Sequence, residues 1–187
     1  MSEPDPALLD ALARRAATEG WTGETLRRAL ADIGEPPELA PSAFPRGVIG
    51  AIEAWCRLAD SRMEAAAEEE DFSGLRTPGR IRRVVELRLR AVEQDREALR
   101  RAAALLALPW NLPVALRCTA RTASAMWYAA GDRSADFSWY TRRATLAAIY
   151  TATLAFWLSP RAPDMAEVLA FLDRRLADIA PRRPAAA

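Results

Sequence analysis

Residues 7–34 read ALLDALARRAATEGWTGETLRRALADIG, and this stretch decides how the chain begins to fold. Apolar side chains recur at three- and four-residue steps over residues 7–18, which predicts a helix that ends at Gly20. Thr22 is placed to be the N-cap of a second helix, because its hydroxyl can accept an unpaired backbone N–H of the first turn. Gly34 ends that helix. The stretch therefore predicts two short helices joined by a Gly-Trp corner.

The same helical periodicity continues along the rest of the chain, and no alternating strand pattern occurs. We therefore expect an all-α fold. Helices are predicted over residues 46–70, 81–92, 114–130, 136–158 and 165–179, while residues 99–108 either continue the second of these or form a helix beside it. We expect a segment over residues 1–46, one compact helical unit over residues 47–180, and a disordered tail over residues 181–187.

The composition argues against a catalytic role. The chain has 187 residues, a formal net charge of +1 and no histidine. Without histidine it has neither a Ser-His-Asp or Cys-His nucleophile nor an imidazole metal ligand, and Gly-rich phosphate loops are also missing. Cys56 and Cys118 lack zinc or disulfide spacing, so we expect two reduced thiols that act as small apolar fillers. The prediction is a protein that is not an enzyme and has no metal or cofactor.

The cellular location is predicted from the N-terminus and from residue usage. The N-terminus lacks the basic start and apolar stretch of a signal peptide, and no apolar run reaches the roughly 18–20 residues that cross a bilayer. Arginine supplies all 26 cationic residues, which together with abundant alanine suggests a GC-rich bacterial genome. We therefore expect a cytoplasmic protein that is at most peripheral to the inner membrane.

The two N-terminal helices resemble the helix-turn-helix unit of TetR-type regulators, with the same corner, Thr cap and terminal glycine. A DNA-recognition helix should follow, but residues 35–45 read EPPELAPSAFP and contain four prolines. A proline in a helix interior costs ~3 kcal/mol, so we expect at most one short turn around residues 38–40. Glu35 and Glu38 would also meet phosphates with the wrong sign. We predict a degenerate helix-turn-helix that does not bind nucleic acid.

The C-terminal half contains the block MWYAAGDRSADFSWYTRRATLAAIY at residues 126–150. It closely resembles the pattern [MI]W[HY]xAGDxSxDFxWYTRRAxLAxIY of the Coq-nine family of ubiquinone-biosynthesis proteins. The resemblance implies a TetR-like fold, often a homodimer, that binds isoprenoid or quinone lipids in its C-terminal part. It also implies a supporting role toward the di-iron hydroxylase that acts on demethoxyubiquinone. Many members of the family end in a further amphipathic helix that inserts into membranes. The sequence after Ala180 does not predict such a helix.

A docking surface for the hydroxylase follows from the same resemblance, residue by residue. It would consist of Met126, Trp127, Asp136, Trp139, Tyr140 and Arg143. The spacing independently places positions 136, 139, 140 and 143 on one helix face, and Trp, Tyr and Arg are enriched among interface hot spots. The alternative is that the Trp139 and Tyr140 rings pack in the core and that Arg143 pairs with Asp136.

Residues 144–158 contain no charged side chain and distribute bulky apolar residues around most of the helix circumference. This pattern predicts a helix that is buried on all sides. The alanines between the bulky residues permit either close packing or an elongated lipid pocket among residues 114–158, and the sequence leaves both open. The candidate lipid-binding residues are Leu116, Ala120, Leu146, Ile149, Tyr150, Leu154 and Trp157.

Two other functions are compatible with the sequence. A TetR-type transcriptional regulator that senses an apolar ligand is disfavoured by the proline-rich segment. A membrane-surface adaptor could use residues 76–101, which contain nine arginines and four acidic residues, because anionic leaflets attract such basic segments. The alternative is that these arginines lie on a solvent-exposed helix face and have no role in membrane binding.

Overall fold

The computed structural model describes residues 4–131 and 138–179, and all of the regular structure in these two ranges is helical. The all-α prediction is therefore confirmed. The α-helices are α1 (Pro6–Glu19), α2 (Gly23–Asp32), α3 (Ala40–Ala43), α4 (Gly47–Glu68), α5 (Thr77–Arg90), α6 (Arg96–Leu106), α7 (Leu112–Ala129), α8 (Ser138–Trp157) and α9 (Met165–Ile179). Single 3-10 turns occur at Pro37–Leu39 and Pro109–Asn111.

The corner between α1 and α2 forms as predicted and joins these helices to the rest of the fold. The Thr22 hydroxyl accepts the Thr25 backbone N–H at 3.1 Å, so Thr22 is the N-cap of α2. The Trp21 indole N–H donates to the Ala98 carbonyl at 2.9 Å, and its ring lies 5.5 Å from the Trp55 ring. The Gly-Trp corner therefore contacts both α6 and α4.

The segment after α2 is more helical than its prolines suggest. We expected at most one turn, but the 3-10 turn Pro37–Leu39 and the four-residue helix α3 form in succession. Proline occupies the first turn of each piece, where a helix does not need the missing N–H. Neither piece exceeds four residues, and Glu35 and Glu38 are both exposed.

The remaining helices pack around α4, which contacts α1, α5 and α7. A turn over residues 91–95 separates α5 from α6, so residues 99–108 do not continue α5. Helix α6 packs against α1, and α8 lies between α7 and α9. One hydrophobic cluster contains side chains from both the helix-turn-helix part and the C-terminal helices, among them Leu12, Trp55 and Leu172.

Helix α8 is not buried on all sides, and that prediction was wrong. Leu146, Ile149, Tyr150 and Trp157 face the core, whereas the positions at 144, 148, 151 and 155 are exposed. These exposed positions hold only alanine and threonine and recur at the three- and four-residue steps of one helix face. Apolar residues therefore occur all around this helix, but the large ones face the core and the small ones face solvent.

Candidate functional site

An apolar groove of about 410 Å³ lies between α6, α7 and α8, and we call it the α6–α8 groove. Its volume is within the range of pockets that hold small ligands, roughly 300–1,000 Å³. Leucine and alanine form most of its walls. They are Leu99, Ala102, Ala103, Leu106, Ala107, Leu112, Ala115, Leu154, Ala155 and Leu158.

Burial distinguishes the floor of this groove from its mouth. The lining residues Cys56, Arg88, Cys118, Thr122 and Tyr150 are buried and form the floor, together with Leu99 and Ala102. The lining residues at the mouth are exposed: Arg100, Ala103, Ala107, Leu112, Thr151 and Ala155. The floor thus contains polar groups, although the walls are mainly apolar.

A buried ion-pair network fixes the polar floor. The Arg88 Nε donates to Asp60 Oδ1 at 2.8 Å, and the Thr122 hydroxyl donates to the same carboxylate at 2.9 Å and 3.1 Å. Arg121 Nε adds a longer contact of 3.3 Å to Asp60 Oδ2. Burial lowers the pKa of Arg88, but its interactions with Tyr150 and Asp60 outweigh burial and raise that pKa overall. Arg88 therefore stays charged.

The two cysteines, which are far apart in sequence, meet at this floor. Both are free and buried, as predicted, but they are neighbours rather than isolated fillers. The hydrogen bond between the two thiols raises the pKa of Cys56 and lowers the pKa of Cys118 to about 7. Arg121 also lowers the pKa of Cys118. Cys118 is consequently the more acidic thiol of the pair.

A second apolar groove, of about 600 Å³, lies on the other side of α8, and we call it the α5–α8 groove. Its lining comes from α5, the end of α7, the start of α8 and α9. These residues are Thr77, Pro78, Ile81, Trp127, Thr141, Arg142, Thr145, Leu146, Ile149 and Leu176. Unlike the floor of the α6–α8 groove, the buried lining residues of this groove are hydrophobic: Ile81, Trp127, Leu146 and Ile149.

The predicted lipid-binding residues do not converge on one cavity. Tyr150 and Leu154 line the α6–α8 groove, whereas Leu146 and Ile149 line the α5–α8 groove. Trp157 lines neither groove; it is buried, and the guanidinium of Arg96 lies 5.4 Å from the centre of its ring.

Leu116 and Ala120 line neither groove. Leu116 is 63% exposed, and Ala120 is also exposed. The groove face of α7 consists of positions 115, 118, 119 and 122. Positions 116 and 120 fall on a different stripe of the same helix and point to solvent.

The predicted docking residues also separate into exposed and buried side chains. Tyr140 is 76% exposed and Arg143 is half-buried, whereas Met126 has no exposed surface. Met126 is therefore a core residue and cannot be part of a surface patch. Trp127 is also buried: its indole N–H donates to the Arg142 carbonyl at 3.2 Å, and its ring lines the α5–α8 groove. Asp136 and the Trp139 side chain lie outside the described part of the chain.

Tyr128, which was not among the predicted docking residues, is 63% exposed. The inward positions 126 and 127 of α7 leave position 128 on the solvent side. The exposed aromatic surface at this end of α7 and α8 therefore contains Tyr128 and Tyr140.

Arg88 and its partner Asp60 were missed because each is a charged residue on a largely apolar helix face. Asp60 follows Cys56 by four positions, and Arg88 follows Val84 by four, so both share the buried face of their helices. A charged residue on such a face can be recognised from the sequence. The residue with which it pairs cannot be recognised in this way, because the pair joins α4 to α5 across 28 positions.

The arginine-rich segment over residues 76–101 is largely occupied by internal ion pairs. Six of its nine arginines contact carboxylates: Arg82, Arg83, Arg88, Arg90, Arg100 and Arg101. Glu86 alone contacts three of them. These contacts favour the solvated-face interpretation over a cationic membrane-binding surface.

Neither a membrane span nor a metal cluster is apparent in residues 4–131 and 138–179. No single helix there is long and apolar enough to cross a membrane, although α6 together with Pro109–Ala129 meets the length and composition criteria as a pair bent by 97°. The same residues contain no group of three or more His, Cys, Asp or Glu side chains that could hold a metal.

Comparison with known proteins agrees with this architecture. Residues 112–181 match the sequence profile of the COQ9 family. The human mitochondrial ubiquinone biosynthesis protein COQ9 is 32% identical over 178 residues, which is 91% of this chain and 56% of the human protein. The rat protein of the same name is 33% identical over 166 residues, covering 85% of this chain and 53% of its own length.

Among solved structures, the TetR transcriptional regulator from Nitrosomonas europaea is similar along nearly its whole length. The TM-score is 0.73 at 26% identity, and the match covers 93% of this chain and 98% of that chain. The fold therefore defines a TetR-like all-α protein. Within that class, residues 112–181 match the COQ9 family, and the chain is similar to the human COQ9 protein at 32% identity.

The relatives also correct one expectation and set a limit. The curated COQ9 proteins are mitochondrial, which contradicts the cytoplasmic location expected from the N-terminus, and their eukaryotic origin gives no support to the bacterial assignment. The chain spans about half the length of these relatives, 56% of the human protein and 53% of the rat protein.

Proposed function

We propose that this protein is a non-catalytic accessory factor of ubiquinone biosynthesis. It binds an isoprenoid or quinone intermediate and supports the hydroxylase that acts on demethoxyubiquinone. The names of the COQ9 relatives support the pathway, and the α6–α8 groove is the single observation on which the lipid-binding role rests.

The α6–α8 groove suits an amphiphilic ligand better than the larger α5–α8 groove. Its leucine and alanine walls can cover a hydrocarbon chain, because burying apolar area is favourable by roughly 25 cal/mol per Å². Its floor places Arg88, Thr122 and Tyr150 at the inner end of that apolar channel. A ligand with a polar head and an apolar chain matches both parts of the groove.

The mouth of the groove opens beside an apolar corner between α6 and α7. Trp110 is 74% exposed there, and the neighbouring Leu112 both lines the mouth and is exposed. Exposed aromatic and aliphatic side chains of this kind favour contact with a membrane surface or with apolar ligands. We propose that lipids enter the groove at this corner.

Docking to the hydroxylase is proposed for the surface of α8 around Tyr140 and Arg143. Trp139 and Asp136 belong to the proposal only as the family resemblance implies. The exposed ring of Tyr140 supports this proposal, since exposed aromatic residues frequently anchor protein interfaces. Homodimer formation, which the family resemblance implies, remains a prediction that analytical ultracentrifugation can test.

The competing function is a TetR-type regulator that senses an apolar ligand. The similarity to the Nitrosomonas europaea regulator and the presence of apolar grooves favour it. Against it, the segment after α2 has no helix longer than four residues, and its exposed Glu35 and Glu38 would repel phosphates. The accessory role is therefore the better supported of the two.

Lipid extraction is the direct test of the proposed function. The protein is purified from cells that make ubiquinone, extracted with organic solvent, and the extract is analysed by mass spectrometry. We expect an isoprenoid lipid or a quinone intermediate at a substantial fraction of the protein concentration. An extract that contains no such lipid, together with unchanged ubiquinone content after deletion of the gene, would contradict the proposal.

A further inference from the structure

The guanidinium of Arg88 has one nitrogen that no protein atom satisfies. Arg88 is 2% exposed, its Nε donates to Asp60 at 2.8 Å, and its Nη2 reaches the Cys56 carbonyl at 3.5 Å. Its Nη1 is buried and has no acceptor. Leaving a buried donor unsatisfied is unfavourable, particularly on a charged group, so such an atom is usually paired with an oxygen.

The position of Arg88 indicates where that oxygen would come from. Arg88 lines the floor of the α6–α8 groove, and the surrounding floor residues are buried. The groove extends from this floor to exposed residues such as Ala103 and Ala155 at the mouth. A molecule that fills the groove can therefore reach Arg88 with its inner end.

The charges at the floor favour an oxygen with negative or strongly polar character. Arg88 and Arg121 both donate to Asp60, so two cations share one carboxylate. Arg121 Nη2 is likewise buried without an acceptor. Arg88 also acts to lower the pKa of Tyr150, against the larger opposite effect of burial. An oxygen acceptor would be stabilised by the same positive field.

We propose that the α6–α8 groove binds its amphiphilic ligand head first, with an oxygen of the head group accepting a hydrogen bond from Arg88 Nη1. The head group is a carbonyl, a phenolate or a carboxylate, and the hydrocarbon chain extends along Leu99, Leu106 and Leu154 toward the mouth. This inference rests on the proposed lipid-binding function and specifies the orientation and polar anchor of the ligand.

Tail-matched ligands test the anchor. The probes are 2-decyl-1,4-benzoquinone, decanoic acid and decylbenzene, and tryptophan fluorescence or calorimetry reports their dissociation constants. The wild-type protein should bind at least one oxygen-bearing probe about 10-fold more tightly than decylbenzene. A hydrogen bond to a charged group typically increases affinity by about this factor. Whether the quinone or the acid gains more distinguishes a carbonyl from an anionic head group.

Arg88→Lys is the diagnostic substitution, because a lysine keeps the positive charge beside Asp60 but removes Nη1. It should abolish the preference for the oxygen-bearing probe and leave decylbenzene binding unchanged. Arg90→Lys is the matched control, since Arg90 lies on the same helix as Arg88, lines neither groove and pairs with Glu86 at 2.9 Å. It should retain the full preference.

A crosslinking measurement on the wild-type protein keeps the inference testable if Arg88→Lys does not fold. Fatty acids that carry a diazirine beside the carboxylate should label residues 84–92 or 115–122, and those with a terminal diazirine should label residues 103–112 or 155–158. The reversed pattern, or equal wild-type affinity for decylbenzene and both oxygen-bearing probes, would overturn the inference and leave lipid binding intact. If none of the three probes binds, the proposed lipid-binding function itself fails.

Discussion

Arg88 on α5 and Asp60 on α4 form a buried ion pair, with 2.8 Å between Nε and Oδ1. Thr122 of α7 donates to the same carboxylate, so the Asp60 side chain joins α4, α5 and α7 beneath the α6–α8 groove. Removing one member of a buried pair leaves the other charge without compensation, which costs far more than the pair contributes in net terms.

Asp60→Ala should therefore destabilise the protein by about 3–5 kcal/mol, since it leaves Arg88 buried without its partner. Urea unfolding followed by circular dichroism measures this free energy. The matched control is Asp173→Ala, which removes an exposed partner of Arg82 at 2.9 Å and should change the free energy of unfolding by at most about 1 kcal/mol. Equal effects of the two substitutions would contradict a structural role for the floor network.

Cys118 should react with a small alkylating reagent before Cys56 does. Its hydrogen bond from Cys56 lowers the pKa of Cys118 to about 7, whereas the pKa of Cys56 is raised. The thiolate is the nucleophile and forms above the pKa, so labelling of Cys118 should increase from pH 6 to pH 8 with a midpoint near 7. Peptide mass spectrometry after iodoacetamide treatment gives the midpoint.

The control for this prediction is Cys56→Ala, which removes the hydrogen-bond donor and should move the Cys118 midpoint to higher pH. Equal labelling of both cysteines in the wild-type protein would show that the two thiols do not differ as described.

The protein should not bind a specific DNA sequence. The segment after α2 consists of two pieces of at most four residues and presents exposed glutamates, so it lacks both a helix that fits a groove and cations for phosphate contacts. Footprinting upstream of its own gene at about 150 mM salt should show no protection. A protected site that survives excess competitor DNA would favour the regulator instead.

Tyr140→Ala should weaken binding of the hydroxylase by about 2 kcal/mol or more, because an exposed aromatic anchor loses its contact area. Its stability should change little. The matched control is Trp110→Ala, which removes a similarly exposed ring at the opposite end of α7 and should leave this interaction unchanged. Co-purification and surface plasmon resonance measure binding, and equal losses for the two variants would contradict a patch at Tyr140.

Met126→Ala is expected to act on stability instead of recognition. Met126 is fully buried, so the substitution creates a cavity at a cost of about 2–5 kcal/mol. Binding per folded molecule should be unchanged.

The sequence was sufficient for the longer helices and for the corner at Trp21, because periodicity and capping are local properties. It was not sufficient for the groove. The walls come from α6, α7 and α8 together, and they include Ala102 and Ala103 of α6 as well as apolar residues of α8. The uniform hydropathy of α8 did not reveal which face is exposed, and only the packing partners of that helix determine this.

The α6–α8 groove as the lipid site is the central claim, and a groove-blocking substitution tests it most directly. Ala155 lines the mouth of the groove, whereas Ala148, on the same helix, is exposed and lines neither groove. We would measure the lipid extracted from purified Ala155→Trp, Ala148→Trp and wild-type protein by mass spectrometry, after confirming that all three are folded. The expected result is that Ala155→Trp loses most of its lipid while Ala148→Trp retains the wild-type amount; equal lipid content in all three proteins would contradict the claim.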